Sequence, residues 1–138
     1  MRRRYGAPQS RACDDGGMAR TVRGARVLIT GAASGMGRLY AERAVLEGAR
    51  AVVLWDRDEA ALTELTHRLR REILAGRTAA AWGAPEGSPS SSAGRPATTV
   101  LPYVVDLSEL GAIAQSAQAV RKELGGIDVL INNAGIVR

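Results

Sequence analysis

Short apolar runs alternate with longer amphipathic stretches over most of this chain. Four of the runs predict β-strands, at residues 25–30, 51–55, 100–105 and 127–131. Their nearly continuous apolar character is typical of strands that are buried on both faces of a parallel sheet. The three stretches between them carry apolar residues at a spacing near 3.6, which predicts α-helices. Strands that alternate with helices pair in parallel through right-handed crossovers, so the pattern predicts an α/β fold with a doubly wound parallel sheet.

The first predicted helix begins at Ser34 and stops before Gly48, a residue type that commonly ends helices. Its side chains divide into an apolar face and a charged remainder, as expected for a helix packed on a sheet. The expected apolar face consists of Met36, Tyr40, Ala44 and Val45, with Leu39 and Leu46 beside it.

The other two helices have expected caps and apolar stripes. Asp58 is positioned to cap the second helix and Ser108 to cap the third. The expected stripe of the second helix is Leu62, Leu65, Leu69 and Ile73. The expected stripe of the third is Leu110, Ile113, Ala117, Val120 and Leu124, followed by a stop at Gly125-Gly126. Pro102 removes a ladder donor from the third strand, which favours an edge position for that strand.

The net charge of +5 lies at the N-terminus and not in the predicted domain. Residues 1–26 hold seven arginines and two acids, whereas basic and acidic residues balance over 27–138. Residues 1–24 lack hydrophobic periodicity and are predicted to be a disordered basic tail, which leaves 25–138 as one domain. Because that domain has no basic excess, we expect no specific nucleic-acid partner.

Residues 76–99 interrupt the alternation with a composition rich in Gly, Ser, Pro and Ala. A structureless stretch of that length is unusual inside a compact domain, so we interpret it as a flexible surface insertion. No apolar run approaches the ~18 residues of a membrane span, so we expect no membrane association. Cys13 is the only cysteine, which excludes a disulfide framework and a zinc cluster and favours a reducing cytoplasm.

The most informative motif is the glycine-rich turn at residues 31–37, between the first strand and the first helix. Free N–H groups and the helix dipole at such a junction favour a bound phosphate. Gly31 allows a sharp exit from the strand, Gly35 lets the backbone approach a pyrophosphate, and Gly37 lets the helix pack closely on the sheet. No lysine follows the last glycine, which excludes a P-loop.

Two aspartates follow the next strands along the chain. Asp56 ends the second strand, where a carboxylate can accept both hydroxyls of an adenosine ribose and repel a 2′-phosphate. Asp106 ends the third strand, where a carboxylate can contact an adenine amino group. Arg57 leaves NADP open, but Ser34 is not basic, so NAD is the preferred cofactor. Helix capping is the structural alternative for both carboxylates.

Paired amides, Asn132 and Asn133, follow the fourth strand and precede two small residues, Ala134 and Gly135. An amide side chain can tie neighbouring strands together through their backbone groups, and small residues leave space for a ring and a ribose. Read alone, these four residues could also form a simple turn.

Together these motifs resemble those of the short-chain dehydrogenase/reductase family, over about residues 25–138. The matching residues are Thr30-Gly31-x-x-x-Gly35-x-Gly37, Asp56, Asp106-Leu107 and Asn132-Asn133-Ala134-Gly135. The resemblance implies a Rossmann-type, NAD(P)-binding domain of an oxidoreductase that moves a hydride between NAD and an alcohol or carbonyl substrate. It implies that cofactor contacts come from Gly31, Ser34, Gly35, Met36 and Gly37 at the pyrophosphate, Asp56 at the ribose, Asp106 at the adenine, and Asn133, Ala134 and Gly135 near the nicotinamide ribose.

The family's catalytic residues have no counterpart here. They are a serine, a tyrosine four residues before a lysine, and an asparagine, and in the family they follow the segment where this chain stops. Lys122 has Gln118, not a tyrosine, at that spacing. The sequence therefore predicts the cofactor-binding part alone, about four strands and three helices, without catalytic or metal-binding residues.

Two alternatives stay open at this point. The chain could be a truncated, catalytically inactive nucleotide-binding fragment, or a methyltransferase that uses S-adenosylmethionine with a similar turn and similar acids. Residues 132–135 argue against the methyltransferase. A sheet that ended at its fourth strand would leave an apolar edge, so we also expect a homo-oligomer or poor solubility.

Overall fold

The computed structural model describes residues 21–76 and 97–135. Strands and helices alternate strictly within this part of the chain, as the sequence pattern predicts. The elements are β1 (Arg26–Thr30), α1 (Gly35–Glu47), β2 (Ala51–Asp56), α2 (Glu59–Leu74), β3 (Thr99–Val104), α3 (Leu110–Leu124) and β4 (Val129–Ile131). The arrangement confirms the predicted Rossmann-type α/β fold with four strands and three helices.

The four strands form one parallel sheet in the order β3-β2-β1-β4. The chain thus adds strands outward from β1 in one direction and then crosses to its other side for β4. Ligands of open parallel sheets bind at such a switch point, outside the carboxyl ends of the strands. The edge position of β3 is the one that Pro102 predicts, because an edge strand tolerates a missing ladder donor.

Helices cover both faces of the sheet and create two apolar layers. On one face, α1 and α2 pack against β1 and β2 around fully buried residues such as Ile29, Leu54 and Leu69. On the other face, α3 packs over a smaller cluster that includes Trp55 and Val120. The sheet is therefore doubly wound, and its central strands β1 and β2 are buried, as their apolar sequences predict.

The predicted apolar face of α1 is partly wrong. Ala44 and Val45 are buried, but Met36 is 54% exposed and Tyr40 is 37% exposed. The residues of α1 that contact the sheet are instead small ones: Gly37, Ala41, Ala44 and Val45. Small side chains let the helix axis approach the strands, which turns the larger apolar side chains outward. Gly48 ends the helix in the left-handed conformation, as predicted.

The expectations for α2 are confirmed. The Asp58 side chain accepts a hydrogen bond from the Ala61 N–H at 3.0 Å and so caps the helix. Leu62, Leu65 and Leu69 are buried, and Ile73 packs at the rim of the same core. His67, off this stripe, is exposed.

The expectations for α3 need two corrections. The N-cap is Glu109 and not Ser108. Ser108 lies in a turn closed by the Glu109 N–H and the Asp106 carbonyl, and there its hydroxyl and N–H both donate to the Asp106 carboxylate. The buried stripe is also narrower than predicted: Val120 is buried, whereas Leu110 and Ala117 are exposed. The helix stops at Gly125, in the left-handed conformation, as predicted.

The boundaries of the domain differ from the sequence prediction at two places. Residues 21–24, assigned to the disordered tail, contact the end of α1, where the Thr21 hydroxyl donates to Glu47 and the Gly24 N–H to the Gly48 carbonyl. Thr99, assigned to the insertion, begins β3. The rest of the predicted tail, with Cys13, and residues 77–96 of the predicted insertion lie outside the described residues.

An ion pair fastens the start of β1 to the start of β4. The Arg26 guanidinium binds both oxygens of Asp128, at 2.9 and 2.8 Å, and donates a third bond to the Leu124 carbonyl. Asp128 also accepts the Arg26 backbone N–H at 2.8 Å. These contacts stabilise the pairing of β4, which has only three residues and lies at the sheet edge opposite β3.

Candidate functional site

The predicted site residues come together at the carboxyl-terminal edge of the sheet. The parallel register places Thr30 of β1 beside Trp55 of β2, and Trp55 beside Tyr103 of β3. The glycine turn, Asp56, Asp106 and the Asn132–Gly135 segment each follow one of these strand ends. The structure therefore gathers four sequence motifs, far apart along the chain, into one edge.

The three glycines of the turn are required for three different reasons. Gly31 has φ of +63°, and a Cβ there would lie 3.0 Å from the Ala134 Cα. Gly37 has an ordinary helical conformation, but a Cβ there would overlap the Gly31 carbonyl oxygen and lie 2.7 Å from the Asn133 Nδ2. Gly35 has φ of +53°, and a Cβ would meet open space. Gly31 and Gly37 thus allow close packing within the protein, while Gly35 leaves an open approach to the turn.

The start of α1 faces this open approach without a side-chain cap. Ser34 occupies the N-cap position, but its side chain makes no capping hydrogen bond, and no acidic residue lies in the first turn. The first N–H groups of a helix have no partners within the helix. Together with the helix dipole, such groups favour an anion, and here they lie beside the exposed residues Ser34, Gly35 and Met36.

Asp56 fixes the turn from the side of β2. Its Oδ2 accepts the Ala33 N–H at 2.9 Å, and its Oδ1 accepts the Asp58 N–H at 3.0 Å. The neighbouring Ala32 N–H bonds the Trp55 carbonyl at 3.1 Å. The carboxylate is half-buried and oriented at the strand end, where we predicted it. Sequence reasoning missed its bond to the glycine turn, which depends on the two loops being neighbours in space.

Asp106 lies beyond the end of β3, one residue after Val105, whose N–H donates to the Asp56 carbonyl, and it is exposed. Its Oδ1 accepts both the Ser108 hydroxyl, at 2.7 Å, and the Ser108 N–H, at 2.9 Å. These bonds hold the pKa of the Asp106 carboxyl below its ordinary value, and the charge of Arg57 lowers that pKa further. The carboxylate is therefore ionised at neutral pH and fixed in orientation, which suits either a turn or a contact to a bound base.

The segment after β4 is tied to the end of β1 by Asn133 and Thr30. The Asn133 side-chain N–H₂ group donates to the Thr30 carbonyl at 3.3 Å and to the Gly31 carbonyl at 3.1 Å. These bonds confirm the predicted ability of an amide to join neighbouring strands. They also place Ala134 directly against Gly31, so that the segment borders the glycine turn.

The role of Thr30 in the site was not predicted from the sequence. Its hydroxyl, on a residue 5% exposed, accepts the N–H groups of Asn133 at 3.0 Å and Ala134 at 3.1 Å and donates to the Asn132 Oδ1 at 3.3 Å. One buried hydroxyl thus fixes Asn132, Asn133 and Ala134 against the end of β1. A polar residue at the end of an otherwise apolar strand was the available signal.

Neither Lys122 nor the Tyr103 hydroxyl belongs to the group of site residues described above. Lys122 is in the last turn of α3, which runs back towards the opposite edge of the sheet. The Tyr103 hydroxyl donates to Glu123 at 2.8 Å, and burial together with this bond raises the pKa of Tyr103 to about 12.

Over residues 21–76 and 97–135, no three His, Cys, Asp or Glu side chains are grouped as metal ligands would be. In the same ranges, no helix has the length and apolarity that crossing a membrane requires.

A hollow of about 340 Å³ lies at the opposite edge, between α3 and the start of β4. Leu28, Val120 and Ile127 contribute its apolar lining, and Arg121 also lines it. Because it is remote from the glycine turn and lacks its polar groups, we do not assign the cofactor to it.

Comparison with known proteins agrees with this geometry. The family model of the short chain dehydrogenases matches residues 25–85 and 88–138. Epidermal retinol dehydrogenase 2 of Mus musculus is 39% identical over 118 residues, which cover 86% of this chain and 30% of the mouse protein. The chain therefore belongs to the short-chain dehydrogenase/reductase family, and it spans about a third of the length of the relatives it matches.

Solved structures show the same fold. L-Sorbose reductase from Gluconobacter frateurii, solved with NADPH and L-sorbose, has a TM-score of 0.66 at 27% identity over 88% of this chain and 37% of its own. A xylitol dehydrogenase solved with bound NAD⁺ has a TM-score of 0.63 at 25% identity, over 85% of this chain and 35% of its own. The family match favours an oxidoreductase over the methyltransferase alternative.

Proposed function

We propose that this chain binds NAD at the carboxyl-terminal edge of its sheet and forms the cofactor-binding part of an oxidoreductase. When bound, the cofactor supplies or accepts the hydride, and the substrate is an alcohol or a carbonyl compound. The observation that carries the proposal is the uncapped start of α1, which opens beside Gly35 and is flanked by Asp56 and Asn133. Two relatives support the cofactor class, since one was solved with NADPH and the other with NAD⁺.

The residues present fit a dinucleotide in three ways. The free N–H groups at residues 35–37 suit a pyrophosphate, and open space at Gly35 lets it approach. Asp56 suits the adenosine ribose and Asp106 the adenine. Asn133, Ala134 and Gly135 border the other side of the turn, where we assign the nicotinamide ribose. In this arrangement the chain binds and orients the cofactor.

NAD is the preferred cofactor because of the charge around Asp56. A 2′-phosphate would lie against the Asp56 carboxylate, whose two backbone bonds prevent it from turning away. Arg57 is the neighbouring cation, and its charge lowers the pKa of the Asp106 carboxyl. The ribose hydroxyls of NAD can instead donate to Asp56.

The names of the relatives support an alcohol or carbonyl compound as the substrate. Retinol, L-sorbose and xylitol, after which these relatives are named, are alcohols or carbonyl compounds. No residue of this sequence matches the family's tyrosine–lysine pair, so we assign the proton transfer to none of them. A cytoplasmic location remains a prediction from the cysteine content.

The experiment that tests the proposal is a calorimetric titration of the chain with NAD and with NADP, for the wild type and Asp56→Ala. We expect tighter binding of NAD by the wild type and a loss of that preference in the variant. Asp58→Ala is the control, since the Asp58 carboxylate accepts the Ala61 N–H of α2, whereas the Asp56 carboxylate accepts the Ala33 N–H of the glycine turn. Equal affinities for the two cofactors that Asp56→Ala leaves unchanged would contradict the assignment of Asp56.

A further inference from the structure

Opposite charges lie side by side where β2 and β3 end. The strands run in register up to Asp56 and Val104, and the Val105 N–H donates to the Asp56 carbonyl at 2.9 Å. Arg57 directly follows the end of β2, and Asp106 follows Val105. The register therefore brings Arg57 and Asp106 to neighbouring strand ends, at the edge where we assign the adenosine.

The two carboxylates of this group are fixed, whereas the guanidinium is not. Asp56 accepts two backbone N–H groups, and Asp106 accepts the hydroxyl and N–H of Ser108. Arg57 is exposed, and no ion pair joins it directly to either carboxylate in the described parts of the chain. Its charge nevertheless stabilises the ionised form of Asp106. Arg57 is thus the one charge in this group that can move towards a ligand.

We propose that Asp106 is a specificity-determining residue, which attracts the Arg57 guanidinium towards the end of β3 and so keeps it from a 2′-phosphate at Asp56. This inference rests on the proposed function. An arginine next to the ribose can accommodate the 2′-phosphate of NADP. The preference for NAD therefore depends on the position that the Arg57 guanidinium takes, as well as on the Asp56 carboxylate.

The test is a double-mutant cycle on cofactor preference. The dissociation constants of NAD and NADP are measured for the full chain, for Asp106→Asn, for Arg57→Gln and for the variant with both changes. The quantity compared is the ratio of the dissociation constant of NADP to that of NAD. Because both cofactors carry the adenine, effects on adenine contacts cancel in this ratio. Asparagine keeps an oxygen for Ser108, so the turn before α3 is retained.

We expect Asp106→Asn to lower this ratio about two- to fivefold, the range set by exposed charge pairs, and to have little effect when Arg57 is already glutamine. The reduction should shrink as salt is raised, since both side chains are exposed. An unchanged ratio in Asp106→Asn, or an equal reduction of the ratio with and without Arg57, overturns the inference. The proposed binding of NAD would not be affected by either result. A wild-type chain that binds neither cofactor overturns the proposed function, and the inference with it.

Discussion

Replacing Thr30 by valine removes a hydroxyl that holds the two halves of the site together. Valine has nearly the same shape, so the main effect is the loss of an acceptor for the N–H groups of Asn133 and Ala134. A buried N–H left without a partner costs about 1–3 kcal/mol. Because Asn133 is half-buried and Ala134 exposed, water can partly compensate, and we expect a loss of about 2 kcal/mol.

The matched control is Thr66→Val. Thr66 is buried to the same degree as Thr30, 4% against 5% exposed, but its hydroxyl only donates to the Leu62 carbonyl within α2. That carbonyl already accepts a helical hydrogen bond, so no N–H group is left unpaired, and we expect a change within about 0.5 kcal/mol. Thr30→Ser keeps the hydroxyl and should lose less than about 1 kcal/mol, the value of one buried methyl group.

The assay is urea unfolding of each variant, followed by circular dichroism, with NAD affinity measured in parallel. The free energy of unfolding should fall in Thr30→Val and stay close to the wild type in Thr66→Val. NAD binding should weaken only in the first, because its amide-rich segment is no longer fixed against the glycine turn. Equal losses of stability in Thr30→Val and Thr66→Val would refute the reasoning.

Three further predictions follow from the contacts described above. Gly37→Ala should destabilise by about 3 kcal/mol in urea unfolding, because its Cβ overlaps the Gly31 carbonyl, whereas Gly111→Ala in α3 meets nothing within 4 Å and should stabilise by about 0.5–1 kcal/mol. Asp128→Asn should lose about 1 kcal/mol at pH 6, since the hydrogen bonds from Arg26 lower the pKa of Asp128 from 3.8 to about 2 and its 43% exposure weakens the effect. Leu130→Lys, at the 58% exposed edge position of β4, should shift the chain towards monomer in sedimentation velocity.

Each of these has an outcome that counts against it. Similar unfolding energies for Gly37→Ala and Gly111→Ala would show that the close approach of α1 to the turn is not required. For Asp128, the depressed pKa means that the stabilisation is present above about pH 4 and disappears as the pH falls towards 2. A wild type and Asp128→Asn that differ equally at pH 2 and pH 6 would contradict this. A wild-type chain already monomeric at high concentration would contradict the apolar-edge prediction.

The sequence predicted those features that depend on short-range patterns. The alternation of strands and helices, the cap at Asp58 and the stops at Gly48 and Gly125 all follow from residues within a few positions of one another. The edge position of β3 followed from Pro102 alone.

The features that the sequence did not predict depend on contacts and packing in three dimensions. The bond from the Asn133 N–H to the Thr30 hydroxyl spans 103 positions and exists only because β4 pairs with β1. The exposed position of Met36 was missed for a related reason: hydrophobicity favours large side chains for the buried face, whereas close packing at the turn requires small ones. The prediction of a Ser108 cap was wrong because residues 106–109 form a turn, closed by the Glu109 N–H and the Asp106 carbonyl, and the helix starts one residue later.

The central claim is that the start of α1 and the neighbouring strand ends bind a dinucleotide. An NMR titration of ¹⁵N-labelled chain with NAD tests it most directly. We predict saturable shifts of the backbone amides at residues 34–37 and 133–135, with little change at Arg26 and Asp128 on the opposite edge of the sheet. Shifts that do not saturate, or that are as large at Arg26 and Asp128 as at the glycine turn, would contradict the account.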